Sequence, residues 1–431
     1  MIFTIETLGC KVNQYESAAI ASLLAERGHR AAESGGTAEC VILNTCAVTG
    51  EAARKSRQAA RRLLRENPGA ALAVCGCASG LEPEWAESLG AVLVGGAASR
   101  REFAERLSAH FEANAERCAP VTRLPPPGEP GEFETLPAVA GAKRTRAFLK
   151  IEDGCDNFCA YCVIPYARGR VRSMPAAEVE AAARGLGERG FREIVVTGIE
   201  ISSYGKDLGG ATLADAVEAA AVAAPDARIR LSSLEPSAVT PELIARLRGL
   251  PNLCPHFHLS LQSGCDATLR AMRRRYDAAG FFGSVALLRG AFPDCGVTAD
   301  LIVGFPGETD GDFAETLAFV KRCAFSAVHV FPYSKRRGTL AAAMPGQLPN
   351  AVKSERARLA RAAAEETRAA FLASQTGKTL DVLFETERDG VWRGYSGSYL
   401  EVEARADGSL RGKTLPVRIT GARDGILTGD C

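Results

Sequence analysis

Ten short apolar runs alternate with stretches of helical spacing, and this alternation constrains the fold most. FTIETL, CVILNT, ALAVCG and AVLVG fall before residue 118. RAFLKIE, EIVVTG, RIRLSS, HFHLSL, TADLIVG and AVHVFPY fall between residues 143 and 373. Each run has the length and apolar character of a buried strand. Residues 16–27, 51–65, 176–189 and 312–322 have helical spacing between them. A strand–helix repeat of this kind requires right-handed crossovers and a parallel sheet. Residues 1–118 are therefore expected to form a doubly wound α/β domain. Residues 143–373, with six strand–helix units, are expected to form a partial (β/α)6 barrel, whose chemistry belongs at the C-terminal ends of its strands. Between them, residues 119–142 (RLPPPGEPGEF at their centre) have too little apolar content to pack and read as a linker. From 376 to 431 the texture changes to short, glycine-punctuated runs such as TLDVLFET and TLPVRITG, which suggest a small all-β barrel.

A chain of 431 residues has room for two or three domains, and 46% apolar with 24% charged residues is a soluble, globular profile. The N-terminus, MIFTIETLG, has no basic leader segment, and no long apolar run lacks charges. No membrane span is expected, and a cytoplasmic location is. In a reducing compartment the 14 cysteines should stay thiols, with scattered ones acting as small hydrophobes and clustered ones binding metal or doing redox chemistry.

One cluster is local. EDGCDNFCAYCVIPYARGR, residues 152–170, places Cys155, Cys159 and Cys162 at spacings of four and three. No second C-x-x-C pair or nearby histidine completes a four-ligand zinc site. Three thiolates on a four-iron cluster would instead leave one iron open to a substrate. The stretch follows RAFLKIE, where the barrel expects its first active-site loop. A second set is distributed. Cys10 follows FTIETLG, Cys46 follows VILNT and Cys77 follows LAVCG, each just past the C-terminal end of an expected strand. In an open parallel sheet those ends share one edge, where ligands bind. Cys75 is still inside its apolar run and belongs to the core.

C-x3-C-x2-C after the first barrel strand resembles the radical S-adenosylmethionine (SAM) enzymes. Together with TLGCKVNQYES, NTCAVT, GCAS and the C-terminal β module, it resembles the radical SAM methylthiotransferases over nearly the whole chain. The form TLGCKVNQYES looks most like the branch acting on threonylcarbamoyladenosine in tRNA; sister branches act on isopentenyladenosine in tRNA or on a ribosomal-protein aspartate. The resemblance implies two 4Fe-4S clusters, one on Cys10, Cys46 and Cys77 and one on Cys155, Cys159 and Cys162. It implies that SAM donates a methyl group to a sulfur at the first cluster and yields a radical at the second. The methylthio group then replaces the hydrogen on carbon 2 of an adenosine next to the anticodon. It also implies tRNA as partner, an electron donor such as a flavodoxin or ferredoxin, and a TRAM identity for the C-terminal module. A different class, a zinc-stabilised RNA-binding protein without catalysis, would be colourless and zinc-loaded.

The cofactors would do the chemistry, so no Ser/His/Asp triad is expected, and no clear one is found. Candidate SAM contacts lie at strand ends: Gly198 and Glu200, Ser232, Ser233 and Glu235, Ser260, Gln262 and Ser263, and Gly304 and Gly307. Many radical SAM enzymes carry a Gly-Gly-Glu-like stretch for the SAM amino group where this chain has Thr197-Gly198-Ile199-Glu200, a departure that bears on Glu200. His256 and His258 share one face of HFHLSL and either line the barrel or are satisfied in the core. The net charge of +1 says nothing for RNA. Local patches do: KRTR at 143–146, Arg168, Arg170 and Arg172, Arg273, Arg274 and Arg275, and Lys335 and Arg336. Residues 376–431 carry eight basic and nine acidic groups, so RNA contact there would need specific groups such as Arg393 and Lys413, with Trp392, Tyr395 and Tyr399 as stacking candidates.

Overall fold

The computed structural model describes residues 1–33, 36–113, 122–124, 132–137, 145–406 and 408–431. The N-terminal part is a six-stranded parallel sheet. Its strands in spatial order are Arg30–Ala31, Ile2–Thr7, Cys40–Thr45, Ala71–Gly76, Ala91–Val94 and Thr122–Arg123. Strand order reverses between Ile2–Thr7 and Cys40–Thr45, so the crevice at their C-terminal ends is the switch point of a doubly wound sheet. Cys40–Thr45 and Ala71–Gly76 are buried along their whole length, as strands covered on both faces must be.

Two differences from expectation have clear causes. The first helix, Lys11–Glu26, starts ahead of residue 16 because Cys10, in extended conformation, is already its N-cap. Its Asn13, Glu16 and Ser17 are buried, so an apolar stripe did not mark its first turn. The segment expected to be a linker also contributes to the fold. Thr122–Arg123 is the sixth strand, Leu124 and Leu136 enter the core, and Glu134 accepts from the backbone N–H groups of Arg100 and Arg101 at a helix start. Two leucines and one capping carboxylate suffice for docking, and a composition average hides them.

The central part is an open run of six parallel strands. Arg146–Lys150, Glu193–Thr197 and Arg228–Leu231 pair in one sheet; Ser233–Leu234, His256–Gln262, Gly296–Val303 and Ala327–Pro332 pair in the next. Arg228–Leu231 and Ser233–Leu234 are two pieces of one strand broken at Ser232. The first and last strands do not pair, and the N-terminal part covers the opening. Glu16 meets Lys150 on the first strand, and the Gly50 N–H donates to Ser334 Oγ after the last.

Helix Asn350–Ala373 leads to a closed five-stranded barrel: Thr379–Arg388, Val391–Ser396, Glu401–Arg405, Ile426–Asp430 and Thr414–Arg423. Val382, Phe384, Trp392, Val402 and Leu427 fill it. It docks against the N-terminal ends of the central strands. Arg146 pairs with Glu385, and Glu193, fully buried, pairs with Arg228 and Arg230, whose guanidinium groups also donate to the carbonyls of Tyr395 and Gly397. Among the described residues no helix is long and apolar enough to cross a membrane.

Candidate active site

Three βα turns bring Cys10, Cys46 and Cys77 to one edge of the first sheet. Cys46 follows Thr45 directly, Cys77 opens the short helix Cys77–Leu81, and Cys10 caps Lys11–Glu26. Gly9 makes the approach possible. It sits at φ +106°, and a Cβ there would lie 2.9 Å from Cys46 Sγ. Burial, then the neighbouring Cys77 and Cys10 sulfurs, raise the Cys46 thiol to about 11. Three thiolates so close need a cation to share, which a metal–sulfur cluster supplies. Cys75 lies fully buried in the apolar core beneath.

Cys155, Cys159 and Cys162 occupy one loop between the pieces of a small hairpin, Glu152–Asp153 paired with Arg172–Ser173. Gly154 closes it at φ +91°; any Cβ there would strike the Arg170 carbonyl at 1.9 Å. The Ile164 N–H points at Cys162 Sγ over 3.4 Å and an Arg274 N–H at Cys159 Sγ over 3.0 Å. Burial pushes the Cys162 thiol up to about 12, and both Cys159 and Cys77 act on it, so the two triads lie within electrostatic reach of each other.

A buried ion network joins them. Glu16 accepts from Arg100 at 2.7 Å and from Arg168 at 2.8 Å, and Lys150 bridges Glu16 and Asp153. Burial alone would raise the Glu16 carboxyl, yet Arg100, Arg168 and Lys150 bring it down to about 2. Three buried cations thus face two buried carboxylates, and Arg168 Nε donates to Cys77 Sγ at 3.3 Å. The surplus positive charge suits an anionic thiolate group, so the site fits a cluster on its own chemistry. Arg168 also corrects an expectation: with no exposed surface and every donor engaged inside the protein, it cannot contact RNA phosphate.

A cavity of about 200 Å³ opens beside Cys162, and none of Cys10, Cys46 and Cys77 is among its lining residues. Val48 and Thr49, just after Cys46, line it from one side; Tyr161, Cys162, Gln262, Ile302 and Tyr333 line it from the barrel. A second opening of about 240 Å³ sits beside Cys159 and is lined by Asn157, Ser202, Glu235 and Arg274.

The remaining candidates divide by what they touch. Glu235 is held by Arg274, which also reaches Cys159. Burial, then the Glu235 charge, raises the Glu200 carboxyl to about 8; it accepts from Ser202 N–H and Asn157. Ser233 faces the barrel interior and Gln262, at φ +63°, the cavity beside Cys162. Ser232 is buried with its N–H on the Val196 carbonyl, and the Ser260 carbonyl accepts from Tyr276. Ser263 bonds outward to Thr316. Gly198 was expected to approach a ligand; its close neighbour is Glu152, whose carboxylate would lie 2.6 Å from an added Cβ. Gly304 abuts Lys353 of the long helix, and the Gly307 N–H donates to the Gly346 carbonyl. His256 and His258 both face the interior and share the Thr298 hydroxyl. Spacing did not single out Glu152, whose Oε2 holds the Glu200 N–H and whose Oε1 is buried without a partner, or the Asn13–Glu16 pair. The only signal for the latter was a polar run directly after Cys10.

Of the other basic candidates, Arg170, Arg273, Arg275 and Lys335 are exposed around the barrel cysteine loop and the Ser334 turn. Arg172 and Arg274 are largely buried, and Arg336 is 9% exposed with Nε unpaired. Lys143 and Arg144 of KRTR lie outside the described residues. Arg393 pairs with Glu403, and Lys413 is exposed, both on the module docked at the far end of the strands. Trp392 is core. Tyr395 and Tyr399 stack on each other with Arg146 and Arg230 over their faces, so they serve the domain junction.

Residues 149–320 match the radical SAM superfamily, and residues 2–94 match a family described as Uncharacterized protein family UPF0004. Threonylcarbamoyladenosine tRNA methylthiotransferase MtaB of Bacillus subtilis is 36% identical over 96% of this chain and 92% of its own. The protein of the same name from Thermotoga maritima is 37% identical over 93% and 90%. The tRNA-2-methylthio-N(6)-dimethylallyladenosine synthase of Acetivibrio thermocellus is 33% identical over 99% and 90%. Among solved structures, the radical SAM methyltransferase TsrM of Kitasatospora setae, with cobalamin and a 4Fe-4S cluster bound, superposes with a TM-score of 0.58 at 16% identity, covering 79% of this chain and 77% of that one. That likeness concerns the fold alone. The chain belongs to the radical SAM methylthiotransferase family.

Proposed function

We propose that this protein adds a methylthio group to carbon 2 of N6-threonylcarbamoyladenosine next to the anticodon of tRNA. In this reading Cys155, Cys159 and Cys162 hold one 4Fe-4S cluster, and Cys10, Cys46 and Cys77 hold a second. The observation that carries the reading is the shared cavity between Thr49 on one side and Cys162 and Gln262 on the other. When bound, the clusters and SAM supply the sulfur, the methyl group and the carbon radical; the chain supplies position.

The chain's own residues do three things. Tyr161, Ile302, Phe331 and Tyr333 give the cavity apolar walls that keep water from a reactive species. Arg274 ties Glu235 to the Cys159 sulfur, fixing the polar opening beside the barrel loop. Burial and then the Glu235 charge raise the Glu200 carboxyl to about 8, which favours its protonated form next to Asn157, a residue of that opening. Exposed Arg170, Arg273, Arg275 and Lys335 ring this end and suit phosphate contacts, which predicts salt-sensitive tRNA binding. The C-terminal barrel, TRAM-like in this reading, would add Lys413 and Arg393 from the far end. A flavodoxin or ferredoxin is the expected reductant.

The test is mass spectrometry of tRNA nucleosides from cells with and without the protein. The 2-methylthio form of threonylcarbamoyladenosine should disappear on deletion. Loss of the 2-methylthio form of isopentenyladenosine instead would assign the sister substrate, and no change in either would reject the reading.

A further inference from the structure

The barrel interior holds a second group of ligand-type side chains that includes no cysteine. Parallel register places Asp300 beside His329 and His258 beside Thr298 on neighbouring strands. One nitrogen or oxygen from each of His258, Asp300 and His329 lies within 4.8 Å of the other two. His258 Nε2 is 3.2 Å from Asp300 Oδ2, and the two imidazole rings are 5.8 Å apart. Two ligands about 2.1 Å from one ion sit roughly 3–4 Å apart, so the histidine–carboxylate edge already has metal-site dimensions.

Hydrogen bonding sharpens this. Thr298 Oγ1 lies 2.8 Å from His258 Nδ1 and 3.2 Å from His256 Nε2, yet a hydroxyl has one hydrogen. At least one imidazole must donate to it. Either a proton on His258 Nε2 or a metal ion can sit between that nitrogen and the Asp300 carboxylate, and in both cases Thr298 is the partner of Nδ1. Thr298 then acts as the outer partner that fixes the ring of a metal-binding histidine. The group opens on a cavity of about 360 Å³, roomy enough for further ligands.

We propose that His258, Asp300 and His329 bind one divalent ion of the zinc class, with the remaining coordination positions open to the cavity. Two imidazoles and one carboxylate suit Zn²⁺ or Fe²⁺ rather than Ca²⁺ or a thiolate-bound cluster. Lys11, Arg368 and Glu401 line the same cavity, so ligand geometry rather than net charge must select the ion. Asp300 also lines the cavity beside Cys162, which puts the ion next to that space.

The probe is zinc. The full chain, with its clusters reconstituted anaerobically, is equilibrated with micromolar zinc, desalted and analysed for zinc, iron and sulfide. One zinc per chain is expected beyond an unchanged iron and sulfide content. His329→Ala, at an exposed position that should not disturb folding, and Asp300→Asn should each lower zinc retention at least tenfold with iron unchanged. Absence of zinc from the wild-type chain, equal retention by both variants, or zinc gained only as iron is lost would each overturn the proposal. Anomalous scattering at the zinc edge should place the ion between His258 and His329.

Discussion

The two cysteine triads are built in opposite ways. Cys155, Cys159 and Cys162 share one loop, and their spacing follows from local turns closed by Gly154. Cys10, Cys46 and Cys77 come from three turns of a parallel sheet, and they meet only if the strand register is right. The local triad can survive damage elsewhere. The distributed one depends on the whole N-terminal sheet and on the Glu16–Arg168 network that ties the sheet to the barrel.

Cysteine substitutions separate the two most sharply. Cys155→Ala should abolish SAM cleavage, read as 5′-deoxyadenosine, and bring the iron content from about eight per chain to about four. Cys46→Ala should also lose about four irons yet keep SAM cleavage while ending methylthio transfer. Product from Cys46→Ala would break the comparison. Cys75→Ala, two residues before Cys77 in sequence but in the core, should keep all the iron.

Arg168 is the next lever. Replacing it with Met strands the buried Glu16 and Asp153 carboxylates and should cost about 3–5 kcal/mol of stability in urea unfolding. Iron on the N-terminal triad should fall more than iron on the barrel triad, because Arg168 reaches Cys77 directly. Equal loss from both would show that the two sites are not unequal in the way their construction implies.

The smallest effect lies at the far junction. Burial would raise the Glu193 carboxyl, but Arg230 and Arg228 hold it at about 2. A carboxyl with a lowered folded value stabilises fully above its unfolded value, about 4.3, and loses that contribution as pH falls toward 2. The loss should be about 3 kcal/mol and should flatten in Glu193→Gln, while iron content at neutral pH stays unchanged in both triads. Acid unfolding curves of the two proteins check it.

Much of this was legible in the sequence because strands buried on both faces announce themselves. CVILNT and ALAVCG became fully buried strands, and the cysteines after them fell at one edge by topology alone. The local triad was legible from spacing. What stayed hidden was polar and buried. Nothing in RGRVR distinguishes Arg168, sealed in an ion network, from Arg170, which is 59% exposed. Tyr395 and Tyr399 looked like stacking platforms because a lone strand cannot show that its outer face meets another domain. Leu124 and Leu136 vanished in a proline-rich average.

Iron-edge anomalous diffraction from anaerobically grown crystals tests the central claim most directly. Two iron clusters are expected, one against Cys10, Cys46 and Cys77 and one against Cys155, Cys159 and Cys162, on either side of the cavity bounded by Thr49 and Gln262. A single iron site, or two clusters with no common opening, would contradict it.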